Sequence, residues 1–286
     1  MRIIKLRKNN HEYYYLKHSF RFQGKVITRE KYLGKKIPEN IKEIEQAFLE
    51  ECKKKSIFRL FEKIKQGFRR EWKKYPDSIK EKLKEQITIA FTYNTNAIEG
   101  STISLDETRE LAEHRISPNK PLKDVKETEA HLQLFLEMLE KKERLSLNLI
   151  LKWHKKLFKE TKPDIAGRIR DYNVKVGFYK APDWQDLKKL LRKMILFYNE
   201  NKRMNPVELA ARTHYKFEKI HPFGDGNGRI GRIIMNHILW HNKYPILIIE
   251  YKKRKAYYKA LQKDEDKFFA YFARRYLKTY ERYVKK

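Results

Sequence analysis

Residues 205–232, NPVELAARTHYKFEKIHPFGDGNGRIGR, constrain the fold of this chain more than any other stretch. Asn205-Pro206-Val207-Glu208 starts a helix: Asn as N-cap, Pro at the first helical position, and Glu three residues on to close a capping box. The helix is expected to run to about Ile220. Four of the chain's ten glycines, Gly224, Gly226, Gly228 and Gly231, then fall within eight residues. Glycine loses more conformational freedom on folding than other residues, so this density marks backbone geometry or close approach that side chains would block. Ile230, Ile233, Ile234 and His237 resume a helical stripe. The cluster is therefore predicted to be a turn between two helices, with Arg229 and Arg232 in the first turns of the second.

The chemistry of that turn follows from its place. A helix N-terminus has unpaired N–H groups and partial positive charge, and glycines before it let an anion reach the backbone. The dipole disfavours a cation there, so Arg229 is better explained by a bound anion than by stability. Asp225 would oppose a phosphate unless a cation lay between them, and a carboxylate with phosphate oxygens is a common Mg²⁺ site. His221 is the only candidate base in the loop. The competing structural reading is a glycine-rich turn whose Asp and Asn cap the next helix and whose histidine is merely packed.

The rest of the chain is mainly helical. EYYYLKHSFRF and KVITREKYL are rich in aromatic and branched residues and meet at Gln23-Gly24, which predicts an N-terminal β-hairpin segment over 1–38. From Ile41 the helical period takes over. Leu132, Phe135, Leu136 and Leu139 share one face, as do Ile150, Trp153 and Leu157 after Ser146, a candidate N-cap. A short hairpin or flap is expected at 173–181, and a helix opening at Asp183 with Leu187, Leu190, Leu191 and Met194 inward.

Lys+Arg 67 against Asp+Glu 37 gives a net charge of +30, which attracts polyanions or reflects a lysine-rich solvated surface. Cys52 is the only cysteine, so neither an intrachain disulfide nor a cysteine metal site can form. With no signal-peptide pattern and no apolar run of membrane length, a cytoplasmic protein without membrane contact is expected.

HPFGDGNGRIGR resembles the signature of the Fic (Fido) family, HPFx[D/E]GNGRxxR, at every defining position, and the similarity extends from about Leu145 to the C-terminus. The resemblance implies a mainly α Fic fold with a small β-hairpin flap: a catalytic core over 145–286, preceded by a helical region over 39–144. It also implies a protein adenylyltransferase, moving AMP from ATP to a Ser, Thr or Tyr hydroxyl with Mg²⁺ as cofactor. His221 would deprotonate the hydroxyl and Asp225 would hold the metal. Gly226, Asn227 and Gly228 would form the anion hole, and Arg229 and Arg232 would contact the outer phosphates. Phe223 would pack beneath the loop, and the flap would clamp the target by strand addition.

Upstream, Thr95-Asn96-Ala97-Ile98-Glu99-Gly100 resembles the inhibitory motif of that family, [S/T]xxxE[G/N], with the inhibitory helix at about 80–100. Glu99 ends a helix, where the dipole disfavours an anion. The resemblance supplies its partner, Arg232, and implies self-inhibition by blocking the γ-phosphate. Alternatives are AMP removal, transfer of another nucleotide, or a basic nucleic-acid-binding regulator on a Fic scaffold. Gly228 argues against kinase-type relatives, which carry a basic residue there. ATP and an acceptor protein are the expected partners, with the chain's own hydroxyls and a second copy as further candidates, and nucleic acid is not expected. His237 and His241 lack the neighbouring Glu of a zinc-protease pattern and read as core or surface histidines. Lys252-Lys253-Arg254-Lys255 is a basic loop, a nucleic-acid patch or part of the nucleotide pocket wall.

Overall fold

Asn9 and Asn10 both adopt left-handed backbone, φ 49° and 57°, in this computed structural model, which describes residues 1–22, 25–177 and 179–285. Two such residues make the tight turn that matches strand twist. They join β1 (Arg2–Lys8) to β2 (His11–Phe22) with Lys8 opposite His11, and β2 pairs with β3 (Lys25–Gly34), all antiparallel. The expected hairpin is thus extended to a three-stranded sheet, and its predicted turn at Gln23-Gly24 lies outside the described residues. β1 reads weakly in sequence because it is an edge strand, almost wholly exposed and studded with Arg and Lys, which discourages further pairing.

Contacts divide the chain into two compact units, Met1–Lys63 and Ile64–Lys286. The division falls inside α1 (Ile41–Lys74), so the region 39–144 contributes to both. In the first unit Leu16, Phe48 and Cys52 form a buried cluster.

The second unit is a helical assembly. It contains α2 (Asp77–Ile98), α3 (Leu105–Glu113), α4 (Leu122–Glu140), α5 (Leu147–Phe158), α6 (Leu187–Glu200), α7 (Pro206–Ile220) and α8 (Asn227–His241). α9 (Arg254–Leu261) and α10 (Glu265–Thr279) close it. Ser146 and Asn205 act as N-caps, accepting from Leu149 N–H and Val207 N–H at 3.2 and 3.0 Å. Glu208 also accepts from Arg212 Nε at 2.9 Å.

α7 and α8 pack as an antiparallel pair flanked by α6 and α10, while α4 bridges α2, α5 and α8. Leu132, Phe135, Leu139, Ile150, Trp153 and Leu157 are buried as their spacing implies. Phe91 stacks on Phe135 with centroids 3.8 Å apart, which ties α2 to α4. Between α5 and α6, β4 (Lys175–Val176) and β5 (Tyr179–Lys180) form the short flap, whose Phe178 lies outside the described residues.

Candidate active site

The loop between α7 and α8 is built from inside. His221 caps α7 in the left-handed region, φ 49°, and its N–H donates to Phe217 O at 3.0 Å. Left-handed backbone is strained for a non-glycine residue, and Arg170 holds it there. This buried guanidinium donates from Nε to His221 O (2.9 Å), from Nη2 to Pro182 O (2.8 Å) and from Nη1 to Tyr172 O, so one side chain clamps His221 and both roots of the flap. Arg170 N–H also donates to Pro222 O at 2.9 Å.

Beneath the loop, Phe223 is fully buried and stacks on His154 at 3.8 Å between ring centroids. Gly167 N–H donates to His154 Nδ1 (2.9 Å), which puts the imidazole proton on Nε2, the donor to Asp225 O (3.0 Å). Burial keeps His154 neutral by lowering its pKa to about 4. Asn227 spends its side chain on the loop: Oδ1 accepts from Phe223 N–H at 2.9 Å and Nδ2 donates to Phe223 O at 2.8 Å. Its side chain is therefore closed to an anion, and of its polar hydrogens only the backbone N–H, next to that of Gly228 at the start of α8, can face one.

The glycines have separate reasons. Gly226 has φ 76°, and a Cβ there would strike the ring of Phe158. At Gly224 it would strike the Tyr172 hydroxyl, and at Gly231 the carboxyl of Glu218. At Gly228 it would strike Glu99 Oε1, so a carboxylate lies directly over the first turn of α8. Arg232, 1% exposed, donates from Nη2 to that same Oε1 at 2.6 Å and to Thr95 O at 3.3 Å, while its Nε donates to Thr95 Oγ1 at 3.3 Å. Glu99 and Arg232 thus meet as the Thr95–Gly100 motif implies.

Arg229 is likewise engaged. It bonds Glu127 on α4, reaches Asp225 Oδ1 at 3.4 Å and lies 4.6 Å over the Phe158 ring. Asp225 in turn carries Lys162 Nζ on its Oδ2 and accepts from Gly226 N–H at 2.5 Å. Burial would raise its carboxyl, but Arg229, Lys162 and the Gly226 N–H outweigh that and hold it at about 2, ionised at any working pH. At His221 burial lowers the imidazole below its ordinary 6.5, against a backbone hydrogen bond with Glu218, so the ring is neutral near pH 7 and free to accept a proton. Glu99, Glu127, Lys162, Asp225 and Arg229 border one cavity of about 140 Å³. A mixed carboxylate and cation lining of this kind suits a polyanion with its counter-ion rather than an apolar ligand.

Residues 144–239 match the Fic/DOC family. This segment is a Fic/DOC domain. Over 203 residues the chain is 32% identical to protein adenylyltransferase Fic of Nematostella vectensis, a match covering 67% of this chain and 48% of that protein. The chain therefore spans just under half the length of that curated relative. A solved structure of Fic-1 from Caenorhabditis elegans has a TM-score of 0.69 at 26% identity, covering 82% of this chain and 72% of that one. A Fic domain-containing signaling protein from Bacteroides thetaiotaomicron has a TM-score of 0.69 at 23% identity, covering 80% of this chain and 95% of that one, a likeness of fold.

Within the Fic domain both motif arginines are neutralised by carboxylates that precede residue 144: Arg232 by Glu99, the C-cap of α2, and Arg229 by Glu127 on α4. Glu127, Lys162, Arg170 and His154 complete the site and are invisible to local sequence patterns, because each acts through a partner distant in the chain. His237 and His241 place Nε2 at 2.9 Å from Glu143 O and Met138 O, backbone partners that suit the structural reading. The basic stretch 252–255, expected as a loop, is helical: a 3₁₀ turn over Tyr251–Lys253 runs into α9, with Arg254 4.0 Å over Tyr251 and the Tyr258 hydroxyl of α9 donating to Ile98 O at 3.3 Å beside Glu99. No helix among the described residues is long and apolar enough to cross a membrane.

Proposed function

We propose that this chain is a protein adenylyltransferase, transferring AMP from ATP to a Ser, Thr or Tyr hydroxyl of a target protein, and that Glu99 restrains it. The observation that carries the reading is the seat of Glu99: Oε1 on Arg232 and over Gly228, where an outer phosphate of ATP would otherwise pair. The name of the Nematostella relative, at 32% identity, supports the AMP-transfer class.

In this reading the acceptor oxygen forms a bond to the α-phosphorus while the bond from that phosphorus to the pyrophosphate oxygen breaks. The hydroxyl proton passes to the neutral His221 imidazole. The backbone N–H groups of Asn227 and Gly228 and the dipole of α8 receive the charge developing on the α-phosphate once Glu99 has left Gly228, while Gly226 N–H stays on Asp225. Arg170 keeps His221 in line with the flap, along whose short strands an extended target segment would add. Asp225 is the residue that would hold Mg²⁺: it is ionised and borders the cavity, and Lys162 is the cation now on its oxygen. When bound, the ion supplies charge neutralisation to the phosphates.

A second reading, removal of AMP, is favoured by one observation. The Glu99 carboxylate is 26% exposed and borders the same cavity as Asp225, within which it could orient a water. One experiment separates these outcomes: intact-mass spectrometry of wild type, Glu99→Gly and Glu99→Gly/His221→Ala after incubation with Mg·ATP and a lysate-derived protein pool. AMP adducts confined to the single variant support transfer with Glu99 as restraint. Equal adducts in all three, or none in any, sink it. Loss of AMP from pre-labelled proteins by wild type, but not by Glu99→Gly, favours removal.

A further inference from the structure

At the far end of α8 from the glycine turn, roughly 20 Å along its axis, the second unit carries a surface pocket of about 820 Å³. Its floor is aromatic. Trp72 and Trp240 meet edge to face at 5.3 Å between centroids, and Phe68 lies 5.5 Å from Trp72 and 6.0 Å from Trp240. Trp240 is locked by an Nε1 hydrogen bond to Leu139 O at 2.8 Å. The rim is cationic: Arg69, Arg70, Lys73, Lys80 and Lys243, with no carboxylate among the lining residues. Lys80 is held by Asp77 at 2.9 Å, whereas Arg69, Arg70, Lys73 and Lys243 have no ion-pair partner among the described residues.

Two features are not explained by stability. Gln66, Arg69, Arg70 and Lys73 occupy the i, i+3, i+4, i+7 stripe of α1, so four like-facing polar residues, three of them cations, line one helix face without a counter-ion. The helix dipole accounts for Lys73, in the last turn, but not for the two arginines before it. Lys243, just past α8, sits in left-handed backbone at φ 66°, a position that favours glycine. Its side chain faces the pocket at a conformational cost, as functional residues often do.

We propose that this pocket is a binding site for single-stranded nucleic acid, with an unpaired base stacked on one ring of the perpendicular Trp72/Trp240 pair and successive phosphates on the cationic rim. Aromatic platforms inside a positive groove are the means by which such strands are held without sequence preference. A duplex keeps its bases stacked on each other and offers the floor nothing. An acidic peptide satisfies the rim but leaves the aromatic faces without a flat partner. The stripe from Gln66 to Lys73 runs about 10 Å along α1, too long for a single phosphate. The chain's net charge of +30 adds long-range attraction for a polyanion. The site stands whether or not the chain transfers AMP.

Fluorescence anisotropy of a labelled 12-nucleotide oligo(U), with the full chain in 50 mM salt, tests it. The expected result is micromolar binding with tryptophan quenching and a slope of log K against log salt of about −3, as four phosphates displaced from counter-ions would give. Arg69→Glu/Lys73→Glu is expected to weaken binding at least tenfold, and Trp72→Leu about tenfold with loss of quenching. Lys188→Glu/Lys189→Glu, the same charge change on exposed residues of α6, is expected to weaken it less than threefold. Circular dichroism and thermal melts confirm that each variant is folded, and if Trp72→Leu is not, Trp72→Phe, which keeps a ring, is expected to retain most of the affinity. No binding in 50 mM salt overturns the proposal. So does equal affinity for a 12-base-pair duplex, for AMP alone or for polyglutamate, or equal weakening by the α6 control.

Discussion

Arg232 and Glu99, separated by 133 positions in sequence, meet at 2.6 Å, and Thr95, one turn earlier on α2, accepts from the same guanidinium at 3.3 Å. The last turn of α2 therefore acts as a three-point plug on a cation that is 1% exposed. The helix end that disfavours Glu99 by its dipole is compensated by the helix start of α8, which favours it.

Replacing Glu99 by Gly opens that plug and leaves Arg232 buried without its carboxylate. Adenylyl transfer is expected to rise on the order of 5–150-fold, the range of ordinary coupling energies between sites. The same variant is expected to lose roughly 1–3 kcal/mol of stability, less than a fully buried pair because Glu99 is 26% exposed. ATP should restore more of the melting temperature in Glu99→Gly than in wild type, since its outer phosphates replace the lost anion. Thermal shift with and without Mg·ATP checks this, and a smaller ATP effect in the variant would contradict it.

Lys162 lies on Oδ2 of Asp225, the carboxylate that would hold Mg²⁺ in the proposed function. Lys162→Met removes the competing ammonium while keeping the aliphatic contact with Phe158, above whose ring Nζ now sits at 5.0 Å. Divalent-metal affinity is expected to rise about three- to tenfold, since a surface-accessible ion pair contributes up to about 1 kcal/mol. Mn²⁺ titration followed by electron paramagnetic resonance gives the answer without relying on turnover. Unchanged or weaker Mn²⁺ binding would mean that Lys162 is not a competitor.

Arg170→Lys cannot reproduce a clamp that engages three carbonyls from three nitrogens, because an ammonium is a single point. Transfer in the Glu99→Gly background is expected to fall about 100-fold, the cost of misplacing a catalytic group by about 1 Å. The Kd for ATP, measured calorimetrically, is expected to stay within threefold, because Arg170 touches His221 and the flap rather than the start of α8. A parallel loss of ATP binding would show that the whole loop had collapsed.

Glu218, behind Gly231, is raised to about 8 by burial, only partly offset by Arg232, and further lifted by Glu99; its Oε1 has no hydrogen-bond partner among the described residues. Its folded pKa lies above its unfolded value near 4.5, so its stabilising influence is complete below pH 4.5 and is lost as pH rises through about 8. Glu218→Gln removes the titration. The variant's stability relative to wild type is expected to climb by about 1.4 kcal/mol per pH unit between pH 5 and 8. Urea unfolding at pH 5, 6.5 and 8 measures the slope, and a pH-independent difference would refute the assignment.

His221 has the opposite sign. Its lowered pKa means that the neutral base is already present at pH 7, so the acid limb of the rate profile is expected below pH 6.5. A limb centred above 6.5 in the Glu99→Gly enzyme would show that another group titrates.

Local sequence was enough to determine the helix α7 with its Asn205 cap, the glycine turn and the start of α8, because caps, glycines and 3.6-residue periodicity act within a few residues of chain. The Thr95–Gly100 motif likewise named Glu99, and a family resemblance paired it with Arg232. The turn Asn9-Asn10 was also legible in principle, since left-handed backbone selects Asn, but a charged edge strand hides the alternation that marks a buried one. What only tertiary structure decided is how the loop's charges are partnered. Glu127 on Arg229, Lys162 on Asp225, Arg170 behind His221 and Asn227 turned inward on Phe223 are contacts across helices. Their energies depend on burial and on distance in space, and neither is written in the spacing of residues along the chain.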